Sequence, residues 1–159
     1  MSNPTTSVLG NMSMVKAGAA AGTTTTLTTG ALSIVIQGKY YSVSAATNGA
    51  ATTTDGITGA AFAPVPVGGA QLYVVAYTAA GARKICQGPV LNTYPVLGGS
   101  GALDFPNLPD ELCAVGYVIV AVGSTGAAWT WGTSNLSAAT GVTYTFQDVA
   151  FLPPKPQAV

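Results

Sequence analysis

"LCAVGYVIVAV", Leu112 to Val122, is the longest apolar run in the chain. Its 11 residues fall well short of the about 20 that a membrane-spanning helix needs. It is rich in β-branched residues and nearly unbroken in apolar character, the pattern of a strand buried on both faces. Working outward, "VTYTFQDVAF" (Val142 to Phe151) sets Val142, Tyr144 and Phe146 against Thr143, Thr145 and Gln147. That period of two marks a half-buried strand. Between the two, "AAWTWGTS" reads as a further strand.

Upstream, "ALSIVIQ" and "YYSVSA" flank Gly38-Lys39, and "QLYVVAYT" and "RKICQ" flank "AAGA" with Gly81. Each pair predicts a tight hairpin. No stretch of a dozen residues places apolar side chains at helical spacing against a polar face. Only "LPDEL", Leu108 to Leu112, predicts a short helical turn, led by Pro109. Short strands punctuated by Gly and Pro predict an all-β chain, an antiparallel β-sandwich or barrel-like domain.

The ends read differently. Residues 1–30 form an N-terminal extended arm or edge strand, residues 31–150 the sandwich, and residues 151–159 a Pro-rich tail. "GTTTTLTTG", Gly22 to Gly30, lacks the prolines of a mucin-like stalk. Threonine is stiff at χ1 and suits extended backbone. Thr23 to Thr29 is therefore expected to pair with an edge of its own sheet or a neighbour's. Two segments, Thr47 to Gly69 and Gly88 to Pro109, exceed ordinary loop length. They are expected to be surface loops that meet neighbours, or irregular edge strands.

Charge is scarce. Five Lys+Arg and five Asp+Glu make 6% of the 159 residues, against 48% hydrophobic, and the mean hydropathy is +0.44. Disorder needs low hydropathy and high charge, so the chain is expected to fold. A soluble monomer relies on surface charge to prevent self-association, so this composition suits a component of an assembly. Lys16, Lys39, Arg83, Lys84 and Lys155 are scattered, which argues against nucleic acid. No secretory leader pattern precedes the first strands, and no membrane segment is expected. Cys86 and Cys113 could pair, but without a leader two reduced, buried thiols are favoured.

The chemistry of catalysis is thin. The chain has no histidine, hence no common general base and no Ser-His-Asp arrangement. The cysteines have no CxxC spacing for zinc. Asp110 and Glu111 are adjacent, a poor geometry for a glycosidase pair. "SMVK", Ser13 to Lys16, matches SxxK without the companion motifs of that enzyme class. "GGSG", Gly98 to Gly101, lacks phosphate-loop spacing. The sequons at Asn11 and Asn135 are read as incidental. No enzyme activity, cofactor or metal is expected.

The aromatics are the remaining signal. Trp129 and Trp131, and then Tyr144 and Phe146, stand two apart, on one face of a strand. Such a stripe fills a core, forms a subunit contact, or stacks on sugar rings. Trp129, Trp131, Tyr144, Phe146, Pro153 and Pro154 are the interface candidates.

The C-terminal half has a family look. The "GYVIV" strand, the "GSTGAAWTWGTSN" loop and strand, the "GVTYTF" strand and the Pro-rich end resemble small virion structural proteins of tailed bacteriophages. Upstream, "VKAGAAAGTTTTLTTG", "IQGKYYSVSAATN", "TGAAFAPV" and "YTAAGARKICQG" share that look. The resemblance implies a capsid decoration (cement) or head-fibre role. The chain would then be made in the host bacterial cytoplasm and sit on the virion surface. Its partners would be the major capsid protein and its own copies, with a trimer favoured. A receptor- or glycan-binding fibre module is the alternative that the aromatic stripe suggests.

Overall fold

The computed structural model describes residues 11–93 and 102–153. It is all-β, an antiparallel sandwich. In chain order the strands are β1 (Met12–Ser13), β2 (Ala20–Ala21), β3 (Leu27–Thr29), β4 (Leu32–Ile36), β5 (Lys39–Val43) and β6 (Ala46–Gly49). Then come β7 (Ala70–Tyr77), β8 (Arg83–Gln87), β9 (Cys113–Val122) and β10 (Val142–Asp148). They form a four-stranded sheet in the order β10-β9-β7-β8 and two three-stranded sheets, β1-β4-β5 and β2-β3-β6.

The apolar run that opened the sequence is β9, and it is central, with β10 on one side and β7 on the other. β7 is buried along its whole length and β9 at all but one residue, because the large sheet is covered on both faces. One face meets the small sheets through Leu27, Leu32, Ile34, Ile36 and Val43, which join Tyr73, Val75, Val118 and Val120 in the main core. The other face packs Leu72, Val74, Tyr117 and Ile119 under Leu103, Phe105 and Leu108. The long 88–109 connection is thus, in its described part, a lid on this second core. Phe105 closes edge-on to Tyr117 at 5.2 Å.

A β-bulge reconciles β9 with its two faces. Opposite β7, Val75 pairs with Gly116 but Ala76 pairs with Ala114, so Val115 is the extra residue. A one-residue slip exchanges faces. Cys113 and Val115 enter the main core, and beyond the bulge Val118, Val120 and Val122 do. Gly116 serves this crossing: a Cβ there would lie 2.8 Å from Gln147 O.

The hairpins form nearly as expected. The β4–β5 turn is Gln37-Gly38 rather than Gly38-Lys39, with φ of 49° and 75°, the left-handed pair that a two-residue primed turn demands. Gly81 turns β7 into β8 at φ 76°. "LPDEL" makes a single turn, with Leu112 N–H donating to Pro109 O at 3.0 Å.

Two expectations need correction. "AAWTWGTS" is not a strand: Trp129 forms one isolated bridge with Val65. The chain then turns at Gly132 (φ 79°), with Ser134 N–H donating to Thr130 O. The threonine stretch divides in two. Thr23 to Thr26 is a turn, closed by Gly22 N–H to Thr26 O and anchored on Asn48 Oδ1. Only Leu27–Thr29 is a strand, and it lies between β2 and β6 of its own molecule rather than at an edge. Alternation still holds, with Leu27 and Thr29 buried and Thr28 half-buried.

Candidate interaction surface

Trp129 and Trp131 do share a side, but that side is the interior. They are 2% and 1% exposed. Trp129 lies 5.9 Å from Trp131, Tyr73 and Tyr144, ring to ring, and Trp131 lies 4.9 Å from Tyr73. Trp129 Nε1 and the Tyr144 hydroxyl both donate to Asn135 O, at 2.9 and 2.6 Å. Neither indole offers a face to a sugar or a second subunit, so as interface residues the two tryptophans are corrected to core. The reason is volume: flat rings fill the mouth of the sandwich where Phe62 and Val65 also enter. Tyr144 and Phe146 pack half-buried against this core. Pro153 is half-buried, and Pro154 lies outside the described residues, as do "GGSG" and the rest of the tail.

The polar groups are occupied with structure. Asp55 accepts from Thr58 N–H (2.9 Å), the Thr58 hydroxyl (2.7 Å) and Gln87 N–H (3.0 Å). Burial alone would raise its pKa, but these bonds and the Ile57 N–H outweigh it and hold the carboxyl below its ordinary range. A shallow pocket of about 360 Å³ lies beside Asp55, Gln71 and Gln87. Its amides are spent internally: Gln71 Nε2 donates to Gly88 O at 2.8 Å, and Gln71 Oε1 accepts from the Tyr73 hydroxyl at 2.6 Å.

The SxxK match dissolves in the same way. Ser13 is buried and its hydroxyl donates to Val15 O at 2.7 Å, while Lys16 faces solvent 4.0 Å from Asp148. Both cysteines are free thiols, and burial pushes Cys86 up to about 12 and Cys113 to about 11. Among the described residues no three His, Cys, Asp or Glu side chains group to hold a metal. No described helix is long and apolar enough to cross a membrane.

Apolar side chains do reach solvent on the outer face of the β1-β4-β5 sheet. Register aligns Met12 with Val35, and Val35 with Tyr40, in one row across the three strands. Tyr40 is 61% exposed and Met12 40%. Met14 N–H donates to Ser33 O, and the Tyr40 hydroxyl lies 2.9 Å from Ser33 Oγ, so Met14 extends the same face. Ser13 N–H donates to Ala150 O, which brings Phe151, 67% exposed, alongside. This face was not anticipated from the sequence. Its signal is the alternation of "LSIVI", buried at Leu32, Ile34 and Ile36, which leaves Val35 on the outside.

No protein family, curated protein or solved structure matches the chain in comparison with known proteins.

Proposed function

We propose that the chain is a bacteriophage virion structural protein that decorates the outside of the capsid and stabilises it, without catalysis. The carrying observation is the outward row Met12–Val35–Tyr40, exposed at Met12 and Tyr40 and half-buried at Val35, extended by Met14 and Phe151, on a chain with only ten charged residues, five of each sign. Exposed apolar patches on charge-poor surfaces are interaction sites. The sequence resemblance supplies the partner, the major capsid protein, and the trimer as the assembling unit. Such a protein works through buried area: about 1,600 Å² is standard for one specific contact, and several contacts per oligomer multiply through avidity.

The test is co-sedimentation with purified shells that lack this chain. Saturable binding, weakened by Met14→Asp or Tyr40→Asp, and shells that resist heat or dilution better when decorated, are the expected results. Folded protein that stays in the supernatant at all concentrations overturns the reading.

A further inference from the structure

We infer that β5 is a docking edge for a second copy of this chain, joined strand to strand about a twofold axis at Tyr41. This goes beyond the capsid reading and does not depend on it.

The sheet edges are not equally guarded. β10 is flanked at its end by the N-terminal segment, with Ser13 N–H donating to Ala150 O and Ala19 N–H to Asp148 Oδ1. β8 is met by the 55–60 loop through Gly56 N–H to Ile85 O and through Asp55. The carbonyls at the end of β6 are capped by Arg83, which donates to Gly49 O and Ala50 O. β1 and β2 are two residues each. β5 has five residues, with β4 on one side and no described strand on the other. An open edge of that length is a template for strand addition.

The register fixes which groups are free. In a two-residue hairpin the closing pair, Ile36 and Lys39, exchanges both backbone bonds, and bonded pairs then alternate. Ile34–Tyr41 is bonded, whereas Val35–Tyr40 and Ser33–Ser42 are not. Ser33 O agrees, since it turns toward β1 to accept from Met14 N–H. The N–H and C=O of Tyr40 and Ser42 therefore face outward. A twofold axis at Tyr41 sets Tyr40 of one copy opposite Ser42 of the other, so those groups satisfy one another reciprocally.

Charge permits the same register. Lys39, the one charged residue of β5, falls opposite Val43 of the second copy rather than opposite its own mate. The pairing would merge two small sheets and join their Met12–Val35–Tyr40 rows into one continuous face.

The variant Ser42→Pro separates this from a general apolar association. It removes an N–H that faces away from β4, which an edge strand tolerates, and Ser42→Thr keeps the N–H. Sedimentation equilibrium on the full chain should show concentration-dependent pairing that Ser42→Thr retains. Ser42→Pro should weaken it by about tenfold or more, with circular dichroism showing the sheet intact. In case the proline variant does not fold, Tyr41→Cys offers a second readout: the twofold brings its two copies to about 4.5 Å between Cα atoms, within disulfide reach. Its cross-link in oxidised samples supports the register. A folded Ser42→Pro protein that associates like wild type overturns the inference, as does wild type that shows no pairing. Loss of shell binding with pairing intact would sink only the capsid reading.

Discussion

The Thr29 hydroxyl lies 2.8 Å from the Tyr77 hydroxyl, with both groups buried. This bond ties the centre of the β2-β3-β6 sheet to the long strand β7, so the threonine stretch is stitched into the sandwich by a side chain as well as by its ladder. Removing either hydroxyl strands the other in the core. Thr29→Val and Tyr77→Phe should each cost about 1–3 kcal/mol. The double variant should cost less than their sum, and a double-mutant cycle in urea measures the difference.

The tryptophans should act on stability rather than on recognition. Trp131→Ala opens a cavity among Tyr73, Phe62 and Trp129 and should cost about 3–5 kcal/mol. Tyr40→Ala, on the open face, should stay within about 0.5 kcal/mol. Thermal melts of the two variants side by side make the contrast.

Asp55 gives the pH dependence a sign. Its folded-state pKa is lowered, so the unfolded chain takes up a proton first as pH falls. The stabilisation is complete above the ordinary carboxylate range and is lost as pH drops through it toward the lower folded value. Melting temperature should therefore fall on acidification below about pH 4. Asp55→Asn should flatten that fall and cost about 1–3 kcal/mol at neutral pH, since it weakens hydrogen bonds to a charged acceptor.

Cys86 and Cys113 should resist alkylation at pH 8 in the native protein. Burial holds their pKa values at about 12 and 11, so almost no thiolate is present. In denaturant both should react within minutes. Iodoacetamide labelling followed by mass measurement gives the count.

What was legible in the sequence was whatever local pattern decides. β9 announced itself by composition, β10 by alternation, and the β7–β8 hairpin by Gly81 between two apolar strands. What was hidden depends on distant partners. The bulge at Val115 exists because β9 must serve two cores; the glycine of "AVGYV" is its local mark, but which residue slips is set by the pairing with β7. "AAWTWGTS" has strand composition, yet Gly132 turns it: a Cβ there would lie 2.7 Å from Thr52 O, a neighbour 80 residues upstream in the same numbering. The stripe of aromatics was visible, whereas its direction, inward, depended on Phe62 and Val65. The open face escaped notice because Met12 and Tyr40 meet only through the register of β4.

Arg83 shows how this chain spends a scarce cation. Among the described residues its guanidinium forms no ion pair; it donates to the carbonyls of Leu27, Gly49 and Ala50, binding β3 and β6 to the start of β8. Among the described residues the single ion pair is Lys16 with Asp148 at 4.0 Å, its lysine 83% exposed. Neutral carbonyls do not attract a screening atmosphere as opposed charges do. The molecule should therefore hold its shape alike in dilute buffer and in brine.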